Sequence, residues 1–151
     1  MGNKTVYMKV ELNQINYKGD DRELITKDAY DSIKIESSFG QWPSAVGWDA
    51  IMIYIVIPFV ASGIASGFLN ELGSDLYRWS KSKLQKITSD KEDFDETKFF
   101  IEMNDCTINI YCYDKEDLQY VTENFEKIMK DAVKQKRESD ENIDIDVRDL
   151  K

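Results

Sequence analysis

From Ala50 to Asn70 the chain carries no charged side chain, although 32% of its residues are charged. Inside that window runs Ala50-Ile-Met-Ile-Tyr-Ile-Val-Ile-Pro-Phe-Val-Ala-Ser-Gly-Ile-Ala-Ser-Gly-Phe68. An apolar run of about 18 or more residues is long enough to cross a hydrocarbon core of about 30 Å as a helix. The run therefore predicts one long apolar helix, kinked at Pro58, inserted in a membrane. Trp42 and Trp48 before it, and Tyr77 and Trp79 after it, suit the two headgroup zones. The other reading is a buried helix of a soluble domain, broken at Pro58 into two pieces of ordinary length.

The second half of the run is rich in small residues. Ala61, Gly63, Ala65 and Gly67 repeat at four-residue spacing and include one G-x-x-x-G. In lipid such residues let helix backbones approach closely, so these four are the predicted helix-packing positions of a homo-oligomer. In water the glycines would weaken a helix. Just past the run, Arg78, Trp79, Lys81, Lys83 and Lys86 form a strip with no acid between Asp75 and Asp90. The strip suits anionic lipid headgroups, or the phosphates of a short single-stranded oligonucleotide with Trp79 as a stacking surface.

Charge divides the rest of the chain. The net charge is −9, and residues 93–151 hold seventeen acidic against nine basic groups. That balance argues against broad nucleic-acid binding, which needs clustered Lys and Arg. There is no histidine, so Ser-His, Cys-His and His-metal sites are excluded. No phosphate-binding glycine loop or nucleophile elbow occurs, acidic pairs such as Asp114/Asp117 read as cap residues, and no enzyme or cofactor is expected. Cys106 and Cys112 give neither a disulfide framework nor a paired metal spacing. Met1 to Asn16 is polar and alternating, unlike a signal peptide.

Taken in order, Thr5–Leu12 alternates as a half-buried strand, and Ser32–Glu36 reads as a second. Lys18-Gly-Asp-Asp21 reads as a turn. Residues 1–44 are thus the N-terminal β part of a cap domain. Residues 45–87 form the long helix, which becomes amphipathic through Leu72, Leu76, Trp79, Leu84 and Ile87. Residues 88–97 are a linker. Residues 98–151 hold a hairpin of Lys98–Met103 with Thr107–Tyr113, a helix from Lys115 to about Arg137 capped by Asp114, and an acidic tail. The tail alternates from Asn142 to Arg148 and reads as an edge strand or a disordered end. The expected fold class is α+β, with an antiparallel sheet in the order β-β-α-β-β-α-β.

The stretch Ala61-Ser-Gly-Ile-Ala-Ser-Gly-Phe-Leu-Asn-Glu-Leu-Gly-Ser-Asp-Leu-Tyr77, joined to a small α+β cap, resembles the membrane effectors of bacterial antiphage defence systems, the Hailong type in build. The resemblance is architectural, and it implies an oligomeric ion channel controlled by an anionic nucleotide oligomer. On that reading Asp49 lines a pore mouth and Pro58 supplies a gate, in the bacterial inner membrane with a cytoplasmic portion. The other reading of Asp49, and the one its position favours, is a first-turn acid that suits the helix dipole. The alternative is a soluble, cytoplasmic, acidic interaction protein, such as an immunity protein that neutralises a basic protein toxin.

Overall fold

Val6, Met8, Val10 and Leu12 are wholly buried, while Tyr7 and Lys9 between them are exposed. This period-two pattern builds β1 (Val6–Asn13), the second strand of a six-stranded sheet. The computed structural model describes residues 6–13, 17–28, 30, 32–40, 51–57, 66–88, 97–102, 107–135 and 142–150. The other strands are β2 (Ile33–Gly40), β3 (Ile51–Val56), β4 (Thr97–Glu102), β5 (Thr107–Cys112) and β6 (Asn142–Asp146). They lie in the order β2-β1-β3-β4-β5-β6.

The sheet is mixed, which corrects the antiparallel expectation. β1/β2, β3/β4 and β5/β6 are parallel pairs, while β1/β3 and β4/β5 are antiparallel. A parallel neighbour requires a crossover, and each parallel pair here has a helical one. α1 (Gly19–Ile25) joins β1 to β2, and α4 (Lys115–Glu123) with α5 (Phe125–Gln135) joins β5 to β6. Between β3 and β4 runs a continuous helical segment, α2 (Ser66–Trp79), a π turn (Ser80–Leu84) and α3 (Gln85–Thr88).

The larger correction falls on the apolar run. Ile51–Val56 is not helix but a central strand, hydrogen-bonded to β1 on one side and β4 on the other. Ile51, Ile53 and Ile55 are buried beneath the helices, and Met52, Tyr54 and Val56 occupy the opposite face. Both faces are apolar, so the strand shows no alternation in sequence, and four β-branched residues favour the extended backbone. No helix among the described residues is long and apolar enough to cross a membrane. Asp49, Pro58, Ala61, Gly63 and Ala65 lie outside the described residues; Gly67 lies in the first turn of α2.

The core is one layer of side chains between sheet and helices. Leu72, Leu76, Trp79, Leu84 and Ile87 bury one stripe of the α2–α3 segment, and Leu118, Val121, Phe125, Ile128, Met129 and Ala132 bury one face of α4–α5. Gly73 brings α2 close to α5, since a Cβ there would stand 3.4 Å from the Cβ of Phe125. The helix expected from Lys115 onward is interrupted at Asn124, which leaves helical backbone angles (φ −116°, ψ 21°) and whose side-chain amide and backbone N–H both donate to the Tyr120 carbonyl, at 2.9 and 3.0 Å. Asp114 caps α4 by accepting the Asp117 amide, and buried Asp117 accepts the Tyr113 amide, each at 2.8 Å. Lys18–Asp21 opens α1 instead of forming a turn, with the Asp21 carboxylate accepting the Lys18 amide at 2.9 Å.

Polar contacts tie the α1–β2 connection to the long helical segment. The indole Nε1 of Trp79 donates to the Ile25 carbonyl at 3.0 Å. Lys83, buried on the π turn, pairs with the exposed Asp28. The Lys83 ammonium, by hydrogen bond and charge, holds the Asp28 carboxyl below its ordinary range.

Candidate functional site

All the buried side chains of the strands point to one side of the sheet, and the helices pack there. The opposite face carries a grid of side chains set by strand register. At its centre Tyr54 lies between Lys9 and Phe100, Met52 between Glu11 and Lys98, and Val56 between Tyr7 and Glu102. Tyr7 is 62% exposed and Val56 41%, large values for apolar groups on adjacent strands. Beside them lies a shallow cavity of about 350 Å³ bordered by Tyr7, Lys34, Glu36 and Tyr54. Five inter-strand gaps of about 4.8 Å make the face about 24 Å wide.

The rings on this face are fixed by cross-strand contacts. Tyr54 and Phe100 stack with centroids 5.0 Å apart and planes 16° apart. They stand against each other, so they offer the surface their edges and outer faces. Lys34 lies 5.9 Å from the Tyr7 ring centroid and Lys98 lies 5.8 Å from that of Tyr111. Asp144 on β6 accepts the Asn109 amide at 2.9 Å and the Tyr111 hydroxyl at 3.4 Å. Partial burial, and then the carboxylate of Glu11, raises the Tyr54 phenol above its ordinary pKa; burial and Asp144 do the same for Tyr111. Both stay neutral donors at physiological pH.

Charge on the face leans negative. Glu11, Glu36, Glu102, Asp144 and Asp146 face Lys9, Lys34 and Lys98. Lys9 is paired with Glu11 at 3.4 Å, and Asp146 is held by Arg148 at 2.8 Å. Glu36, Glu102 and Asp144 are exposed around the apolar centre, Asp144 with Asn109 and Tyr111 bonded to it.

The strip Arg78, Trp79, Lys81, Lys83 and Lys86 does not form one surface. Trp79 and Lys83 are buried, while Arg78, Lys81 and Lys86 are exposed. Helical geometry turns 78 and 81 away from 79 and 83 at about 100° per residue. An unbroken α-helix would bring 86 back under 79, but the π turn Ser80–Leu84 shifts the phase, so Leu84 and Ile87 continue the buried stripe and Lys86 faces away. Arg78 bonds the buried Asp75, and Lys81 lies 4.9 Å over the Tyr77 ring. A larger cavity of about 650 Å³ between α2 and α5 is lined by Arg78, Lys127 and Lys130 but equally by Glu123, Glu126 and Asp131. Its charges cancel locally, with Lys130 and Glu126 paired at 2.8 Å, so it selects no class of ligand by charge.

The sequence marks the hairpin that carries Asn109 and Tyr111 but does not single out Tyr54, Phe100 or Met52. The available signal was one aromatic at the middle outward position of each of two neighbouring segments, Tyr54 and Phe100, which becomes visible only once both are read as strands. The fold and this face define a two-layer protein with helices on one side of a mixed sheet and an apolar, acid-rimmed surface on the other. No protein-family model, no curated protein and no solved structure matches the chain.

Proposed function

We propose that this chain is an acidic, non-catalytic interaction protein that binds a basic protein partner through the open face of its sheet, in the manner of a toxin-neutralising immunity protein. The observation that carries the reading is the arrangement of that face. An apolar centre of Met52, Tyr54, Val56 and Phe100 is ringed by the exposed carboxylates Glu36, Glu102 and Asp144. Aromatic and Met side chains at the centre with a polar rim are the usual composition of protein interfaces. Large exposed apolar patches on a protein surface mark such contacts. The net charge of −9 favours a cationic partner and speeds its encounter.

A nucleic acid is a poorer match. Carboxylates outnumber lysines on the open face, which repels a phosphate backbone. The reading needs no membrane-crossing helix.

The test is affinity capture from producing cells with wild-type and Phe100→Asp proteins, followed by growth rescue. A basic protein held by the wild type, released by salt and not held by the variant is the expected result, and co-expression should relieve that protein's toxicity. Equal capture by both proteins would overturn the assignment to this face.

A further inference from the structure

The two edges of the sheet are built differently. β6 is five residues long and presents Asp144 and Asp146 on the open face. Antiparallel pairing of β6 with a second β6 sets carboxylate against carboxylate in its central registers, which protects that edge. β2 is eight residues long, contains no proline, and presents one charge of each sign, Lys34 and Glu36, on either side of Ile35. Both charged side chains are exposed.

We propose that β2 is a homodimerisation edge, occupied by β2 of a second copy in antiparallel register centred on Ile35. In that register Lys34 of each chain stands opposite Glu36 of the other, giving two opposite-charge pairs related by the two-fold axis. Ile35 meets its own copy on the helical side, where it is already half-buried against the core. The shift by two residues toward Ser37 sets Glu36 against Glu36, so charge selects the first register over that one. Lys9 lies beside Glu36 on β1 and is paired with Glu11; Tyr7 lies beside Lys34, and neither opposes the pairing. Main-chain hydrogen bonds supply the attraction and the side-chain pairs supply the register. The result is one continuous twelve-stranded sheet with two open faces side by side.

Charge exchange tests this directly by sedimentation velocity over a range of concentrations. The wild type should populate a species of twice the chain mass. Lys34→Glu and Glu36→Lys should each raise the dissociation constant about tenfold or more, because both symmetry-related pairs become repulsive. The double variant should restore the dimer, and the two single variants mixed together should form a heterodimer. Circular dichroism of each variant confirms that the exposed changes leave the fold intact. A wild type that stays monomeric, single variants that dimerise as the wild type does, or open-ended polymers in place of a dimer would each overturn the proposal.

Discussion

The carboxylate of Asp75 accepts both the backbone N–H and the hydroxyl of Ser32, at 3.1 and 2.6 Å, although 43 residues separate them. Both residues are 1% exposed, and the same carboxylate bonds Arg78 at the surface. This contact joins α2 to the start of β2 and so anchors an edge strand to the helical layer.

Loss of Asp75 should therefore be felt at β2. Burial pushes its carboxyl up, but the Ser32 hydroxyl and amide and then Arg78 outweigh it and hold the group below its ordinary pKa of 3.8. A depressed folded pKa contributes stability that is present at neutral pH and disappears as pH falls through the folded value, because the unfolded chain binds the proton first. Asp75→Ala, which strands two buried donors, should cost about 2–4 kcal/mol in urea unfolding at neutral pH. Between about pH 5 and pH 2, Asp75→Asn should lose less stability than the wild type. Equal slopes would show that Asp75 does not titrate with unfolding.

Tyr54 and Phe100 should couple energetically. A double-mutant cycle with Tyr54→Ala and Phe100→Ala should return an interaction of about 0.5–1.5 kcal/mol. Additive effects would mean that the observed stack contributes nothing beyond area.

Gly73 has space for one methyl group and no more. Its Cβ position lies at ordinary contact distance from Phe125, so Gly73→Ala should raise stability by up to about 1 kcal/mol through helix propensity. Gly73→Leu should lower it by about 1–3 kcal/mol by forcing α2 from α5. Thermal unfolding of the pair, with opposite shifts in Tm, checks the close approach.

Trp79 is a structural residue with a polar handle. Trp79→Phe keeps a ring but removes the donor to the Ile25 carbonyl, and should cost about 1–3 kcal/mol in urea unfolding. A neutral substitution would show that water replaces the indole.

Patterns within a few residues were enough to find several elements. The alternation of Val6 to Leu12, the β4–β5 hairpin, the inward stripe of Leu72, Leu76 and Trp79, and the Asp114 cap all follow from local periodicity or local hydrogen bonding. The acidic alternation of Asn142–Asp146 left an edge strand and a disordered end both open, and the pairing with β5 decides for the strand. α1 escaped notice because seven residues with Ile25 as their one buried side chain have too few turns for a period to show.

What tertiary structure decided was the fate of the apolar run and everything built on it. Ile51–Val56 can satisfy its backbone as a helix or as a strand, and an unbroken apolar segment carries no period to choose between them. The choice falls to neighbours far away in sequence: β1 and β4 supply hydrogen bonds on both edges, and the helices cover Ile51, Ile53 and Ile55. The same pairings turn Met52, Tyr54 and Val56 outward beside Phe100, so the candidate face comes into being only when the sheet does. Parallel partners are equally invisible locally, because a crossover places them by packing of whole helices against the sheet, not by any turn that the sequence spells out.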